Sequence, residues 1–418
     1  MNISLILKRM RNSIKKDGIG PVAKMVTGQA LWTPALPSLK AIYTRKGVNS
    51  KQILFVSKPD FSDNAYYLYR YLRDHRSEEG YRFVWLVDSD ADSFTEDERT
   101  SFCSKHSAWH AGLSREALKS LMTSKYVFFT HDSPLHNLKK IPGQTVVNLW
   151  HGCGYKNIKS TASWEKENPF DYALVPGKVF VDTKSAFWAC SRDKILTIGY
   201  PRYDEFREVS DETMKFYRDL KGSAEKLLIW MPTYRKTELS QFAVSKIKGF
   251  FELPILKSEE ELLKLDRLCA EKNMAICIKR HHYQLRYKCE DLDLRAIRFI
   301  DDNDLRDAGA SLYSLLSLVD GLITDYSSVA IDFMLVDRPM GFTLDDFNEY
   351  KDAQGFVFDD PLRYMPGDHI YNYDDLRSFI DDAAAGTDRH KEDRSKIMSE
   401  VHDPCDNYCE RICRRFGL

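Results

Sequence analysis

Gly321-Leu322-Ile323-Thr324-Asp325-Tyr326-Ser327-Ser328-Val329-Ala330-Ile331-Asp332-Phe333 is an apolar strand pattern that breaks into hydroxyls and then into a helical pattern. Strand-like Val319 to Ile323 delivers Thr324, Ser327 and Ser328 to a helix start, where unpaired backbone N–H groups and the positive dipole end favour an anion. Val329, Phe333 and Val336 recur at helical spacing and Pro339 to Phe342 reads as the next strand, so the segment is a β-α-β unit. Taken alone, the two serines read equally well as helix caps.

Working outward, the same alternation fills the chain. Apolar runs at Ile53 to Val56, Phe83 to Val87, Val127 to Thr130, Val146 to Leu149, Ala173 to Val175 and Ile195 to Ile198 read as strands of a first half. Leu227 to Trp230, Met274 to Ile278, Ile297 to Ile300 and Leu322 to Thr324 repeat the scheme in a second half, with helices predicted over Tyr66 to His75, Ser210 to Lys221 and Lys257 to Asn273. Strands alternating with helices predict an α/β fold with two parallel sheets. Three more polar clusters stand directly after strands, namely Trp150-His151-Gly152-Cys153-Gly154-Tyr155-Lys156, Met231-Pro232-Thr233-Tyr234-Arg235 and Lys279-Arg280-His281-His282-Tyr283. In open parallel sheets the carboxyl ends of strands line the ligand crevice, and hydroxyl, imidazole and guanidinium groups there suit a nucleotide diphosphate.

These residues carry a family resemblance. The chain resembles the CDP-glycerol glycerophosphotransferase family, the teichoic-acid primases and polymerases and related capsule polymerases. The resemblance rests on SDN at Ser62 to Asn64, WHG followed by Lys156, GYPRYD at Gly199 to Asp204, and PTYR at Pro232 to Arg235. It continues through RHHY at Arg280 to Tyr283, LITDYSSVAIDF at Leu322 to Phe333 and QGFVFD at Gln354 to Asp359. Each short motif is weak alone, and their common order along the chain is what makes coincidence improbable. The family commonly has threonine, proline and a leucine-like residue where Cys153, Gly154 and Tyr155 stand here, a departure that bears on acceptor specificity.

The resemblance implies the GT-B architecture, two Rossmann-like halves facing one another: residues 50–205 for the acceptor and 206–400 for the nucleotide, preceded by a basic segment over 1–49 and followed by a helix over 401–418. It implies transfer of glycerol phosphate, or another alditol phosphate, from a CDP-alditol to a hydroxyl of a lipid-linked or oligosaccharide acceptor, releasing CMP. His151 falls on the family's catalytic histidine, and an imidazole titrating near neutrality suits a general base. His282 falls on its second histidine. Arg235, His282, Ser327 and Ser328, with Thr324, are expected to hold the pyrophosphate; Gly152, Lys156, Arg202, Thr233 and Arg280 stand in the same motifs as substrate-binding candidates. Asp332, one helical turn beyond Ser328, is placed to bond a ribose hydroxyl or else faces solvent. Asp63 and Asn64 either bind acceptor hydroxyls or cap a helix.

Composition narrows the partners. At 418 residues, with 43% hydrophobic and 29% charged residues, the chain suits two domains, and a net charge of -1 offers no general attraction to nucleic acid. Nine cysteines without a CxxC pair point to reduced thiols and a cytoplasmic setting. Lys8, Arg9, Arg11, Lys15, Lys16 and Lys24 make the amino terminus a candidate for lying on an anionic membrane, and Leu5 to Leu7 is too short for a signal core. No cofactor or metal is called for: Asp88-Ser89-Asp90-Ala91-Asp92 reads as a solvated loop, and Cys405, Cys409 and Cys413 as one buried helix face. Two other functions fit the same fold, a nucleotide-sugar glycosyltransferase and a non-catalytic nucleotide-binding member of a polymer-assembly complex.

Overall fold

A computed structural model of the chain describes residue 38 and residues 41–105, 113–135, 138–157, 169–233, 253–280 and 292–418. The chain forms two compact units. The first comprises Met1–His151, Ala162–Leu174 and Ala189–Leu196, and the second Gly152–Thr161, Val175–Trp188 and Thr197–Leu418. The units interleave along the chain, so Gly152, Lys156 and Arg202, which precede residue 206, belong to the second unit.

The first unit is built on seven strands: β1 (Asn49–Val56), β2 (Arg82–Val87), β3 (Thr100–Ser104), β4 (Ser124–Phe129), β5 (Thr145–Asn148), β6 (Tyr172–Leu174) and β7 (Ile195–Leu196). Their order is β3-β2-β1-β4-β5-β6-β7 and every pairing is parallel. Register aligns Phe55 with Trp85 on one side and Phe128 on the other, and the three rings form a stacked row with centroids 5.2 and 5.6 Å apart. Such cross-strand aromatic pairs fix register as well as burying area.

The second unit has six strands: β8 (Lys226–Met231), β9 (Met274–Lys279), β10 (Ile297–Ile300), β11 (Gly321–Thr324), β12 (Met340–Thr343) and β13 (Asp368–Ile370), ordered β10-β9-β8-β11-β12-β13 and parallel throughout. Leu228, Trp230, Ile276, Ile278 and Ile323 pack on Leu262 and Leu265 of the helix Glu259–Glu271 and on Leu376, Phe379 and Ile380 of the helix Tyr373–Ala385. Buried on both faces, such strands read as continuous apolar runs.

In each sheet the strand order reverses beside the first strand, between β1 and β4 and between β8 and β11. Ligand crevices form at the carboxyl ends of strands at such switch points. The sequence reading places no strand at β3 or β13; both are edge strands, short and partly polar. It also puts Cys405 on a helix with Cys409 and Cys413, whereas that helix begins only at Tyr408, started by the Asn407 side chain accepting the N–H of Glu410. Cys409 and Cys413 are buried as expected. The basic residues between Lys8 and Lys24 lie outside the described residues. Among the described residues no helix is long and apolar enough to cross a membrane.

Ile323 is buried on β11 in the packed layer. Ile323→Ala is expected to cost about 2 to 5 kcal/mol in urea unfolding; a loss under about 1 kcal/mol would show that the layer repacks around the site strand.

Candidate functional site

In the first unit the site grows from the ends of β1, β4 and β5. The chain leaves β5 through Leu149 and Trp150 to His151, with Trp150 in the left-handed region at φ 55°. That conformation is costly for a bulky residue and persists where neighbours hold it. The holding groups are visible. Asn148 Oδ1 accepts the N–H of Trp150 at 2.9 Å, and the Nδ2 of buried Asn64 donates to the carbonyls of Leu149 and Trp150 at 3.3 and 2.8 Å. His151 donates from Nδ1 to the Thr130 carbonyl at 3.1 Å, and its ring stacks on His131 with centroids 4.1 Å apart. Nδ1 then carries the proton, so in the neutral ring the lone pair is on Nε2.

Asn64 therefore does neither of the two things expected of it. The helix Asp63–His75 has Ser62 at its N-cap, and Asn64 faces inward to brace the turn that carries His151. Asp63 sits at φ 55° with its carboxylate accepting the N–H of Asn64.

The second unit gathers a different set. At its switch point Asp325, buried, accepts the N–H of Thr233 at 3.0 Å and also its hydroxyl, tying the loops after β8 and β11 together. Ser327 and Ser328 follow, half-buried, and Ser328 makes no side-chain cap bond to the short helix Val329–Phe333. Against them lies the glycine strip. A β-carbon at Gly152, whose φ is +133°, would stand 2.8 Å from Ser328 Oγ and 3.1 Å from Arg202 Nη2; one at Gly154 would stand 3.1 Å from the backbone nitrogen of Ser328. Only glycine permits so close an approach, and it brings the Ser328 hydroxyl and the Arg202 guanidinium to the same backbone strip.

Arg202 is fixed there. It is buried with its guanidinium 5.1 Å from the Tyr200 ring and 4.9 Å from the Tyr313 ring, and Nη2 donates to Asp332 at 2.6 Å. The hydroxyls of Tyr203 and Tyr313 donate to the same carboxylate at 2.5 and 2.6 Å. Asp332 is thus fully buried and holds three donors of its own chain, instead of facing solvent or awaiting a ribose. Lys156 pairs with Phe356 in an antiparallel bridge, with Asn157 N–H donating to Gly355 and Val357 N–H to Tyr155, and burial pushes its ammonium below the ordinary lysine value. A cavity of about 420 Å³ lined by Tyr203, Phe206, Met334, Met398 and Tyr408 backs this anchor and is not lined by Ser328, Thr233 or Gly152.

The family model described as CDP-Glycerol:Poly(glycerophosphate) glycerophosphotransferase matches residues 38–415. The chain belongs to this family. It is 27% identical over 395 residues to a teichoic acid poly(glycerol phosphate) polymerase of Staphylococcus epidermidis, covering 88% of this chain and 48% of that protein. It is 28% identical to a teichoic acid ribitol-phosphate primase of Bacillus spizizenii, covering 56% of this chain and 60% of the primase. The chain thus spans about half of the first relative and three fifths of the second. A solved structure of the wall teichoic acid polymerase TagF superposes with a TM-score of 0.70 at 21% identity, covering 93% of this chain and 95% of that one, a likeness of fold.

Within this glycerophosphotransferase-family chain the remaining motif residues divide. Thr324 is buried and its hydroxyl donates to the Met231 carbonyl across the β8–β11 pair at 2.7 Å, so it ties the sheet and does not present its hydroxyl to a phosphate. Arg280 directly follows β9, its N–H donating to the Ile300 carbonyl at 2.8 Å and its guanidinium 5.7 Å from the Phe299 ring. Arg235, His281 and His282 lie outside the described residues. His131 was missed by sequence reading. Its signal was its place directly after β4, as His151 follows the β5 end.

Asp332→Ala leaves the buried Arg202 charge and the hydroxyls of buried Tyr203 and half-buried Tyr313 without their acceptor. The expected loss is about 3 to 5 kcal/mol in chemical denaturation; a loss below about 1 kcal/mol would mean the carboxylate does not anchor the turn.

Proposed function

We propose that this chain transfers an alditol phosphate, glycerol phosphate first among the candidates, from a CDP-alditol to a hydroxyl of a lipid-linked or oligosaccharide acceptor, releasing CMP, in the synthesis of a teichoic-acid-type or capsule-type surface polymer. The observation that supports the reading is the close packing of Gly152 and Gly154 on Ser328 beside the buried Arg202 guanidinium, which sets a hydroxyl and a cation near one another. The family and the names of the relatives support the chemistry; one of the TagF structures is of a histidine variant soaked with CDPG.

In the reaction the acceptor oxygen attacks the alditol-bearing phosphorus, the bond from that phosphorus to the bridging oxygen breaks, and CMP leaves with the bridging oxygen. His151 takes the acceptor proton at Nε2, the atom left basic by the Nδ1 bond to Thr130. Ser328 and Arg202 hold the diphosphate, with Arg235 and His282 assigned to the same task. Such transfer depends chiefly on positioning and charge stabilisation. His151 and Gly152 are consecutive, so one peptide bond joins base and glycine strip. We assign 50–205, apart from the glycine strip and Arg202, to the acceptor and 206–400, together with these, to the nucleotide, the two sheets opposing their carboxyl ends as in GT-B enzymes. The basic residues before Lys24 seat the protein on the inner face of the cell membrane, each contributing about 1 kcal/mol near anionic lipid.

The test is CMP release from CDP-glycerol and CDP-ribitol with lipid-linked and oligosaccharide acceptors, UDP-sugars being run alongside. His151→Ala is expected to lower turnover at least about a hundred-fold at unchanged donor affinity. Release of UDP alone would replace this reading with a glycosyltransferase, and donor binding without turnover in the native chain would replace it with a scaffold. Ser328→Ala is expected to weaken CDP-alditol binding by about 1 to 3 kcal/mol, and Gly152→Ala to abolish it with folding retained. Unchanged calorimetric affinity in both variants would move the diphosphate elsewhere.

A further inference from the structure

We infer that Thr130 and His131 are positioning residues that seat the His151 ring with Nε2 as its proton-accepting atom. The inference rests on the general-base reading of His151. Thr130 follows β4 and is fully buried, its own N–H bonded to Val56 at 3.2 Å, so it is a fixed point of the sheet. It seats both histidines. Its carbonyl accepts from His151 Nδ1 at 3.1 Å, and its hydroxyl shares a hydrogen bond of 2.9 Å with His131 Nδ1.

The two rings lie almost parallel, 8° apart with centroids separated by 4.1 Å, and the Trp150 ring lies 4.0 Å from His151. A flat neighbour at that distance opposes rotation of the imidazole about its Cβ–Cγ bond, which would carry Nδ1 away from Thr130. Charge matters as well as shape. His131 is acted on by the carboxylates of Asp63 and Asp132, which favour its charged form, and by burial and Lys58, which oppose it; burial dominates and its pKa falls below the ordinary histidine value. A neutral His131 leaves His151 free of a like charge at the moment it accepts a proton; a protonated one would oppose that step.

The experiment measures the His151 tautomer by nitrogen NMR and the pH profile of CMP release in the native protein, His131→Phe, His131→Ala and Thr130→Val. The native protein and His131→Phe are expected to hold His151 as the Nδ1–H tautomer. Turnover in His131→Phe, which keeps a flat neutral ring, should lie within about three-fold of native, while His131→Ala loses about ten-fold in kcat with donor KM unchanged and mixes the tautomers. Thr130→Val keeps the carbonyl and is expected to loosen only His131, with a smaller loss. A native His151 found mainly as the Nε2–H tautomer would overturn the inference without any variant, as would His131→Ala with native rate, pH profile and tautomer. Turnover surviving in His151→Ala would instead remove the general base, while the tautomer measurement still reads the seat.

Discussion

The second unit depends on one buried carboxylate. Asp332 lies a helical turn beyond the serines that follow β11, with no exposure to solvent, and an isolated charge there would be prohibitively costly. It is tolerated because Arg202 and Tyr203 of the Pro201–Phe206 turn and Tyr313 of the helix Leu312–Leu318 all donate to it. Two other segments, the turn and the helix, are thereby fixed to one carboxylate. A buried ion pair is a poor source of net stability, because desolvation offsets most of the attraction. Its value here is geometric: it fixes the Arg202 guanidinium beside Gly152. Pre-set charge of this kind needs no reorganisation when a ligand binds or a transition state forms.

Topology decides where that charge can be used. Each sheet turns back on itself beside its first strand, and the polar loops after β8 and β11 meet at that point through Asp325 and Thr233. In the first unit the equivalent point lies between β1 and β4, and His131 follows β4 directly while Asn64 comes from the helix after β1. His151 enters from β5, one strand further along. Its turn is therefore held by residues of both neighbouring connections, Asn64 from one and Thr130 from the other.

Central strands were legible in the sequence because parallel strands covered on both faces need unbroken apolar runs, as in Phe83 to Val87. Edge strands β3 and β13 have one neighbour and a wet side, and Thr100-Ser101-Phe102-Cys103-Ser104 does not stand out from a loop. The polar clusters after the strands were legible too, since the sheet forces them to one end. What could not be read was which member of a cluster turns inward. Thr324, Asn64 and Asp332 take partners 93, 85 and up to 130 residues away, and no local pattern encodes such a partner. Each looked like a ligand-binding group and each holds the protein's own backbone or side chains.

The same logic bears on Cys153-Gly154-Tyr155, the triplet between His151-Gly152 and Lys156. Cys153 and Tyr155 are completely buried, the thiol 3.2 Å from the Tyr200 hydroxyl and the Tyr155 hydroxyl donating to the Tyr364 carbonyl at 2.7 Å. Burial also pushes the Cys153 thiol up, away from a reactive thiolate. Neither side chain reaches the surface, so both act from beneath the glycine strip. Gly154 is the member that shapes it: a β-carbon there would lie 3.0 Å from Ser328 Cα, closer than ordinary contact. A proline at that position would push the strip and the serine loop apart by several tenths of an ångström. The triplet therefore works as a set, in which Cys153 and Tyr155 fill the space below while Gly154 lets the strip close on Ser328.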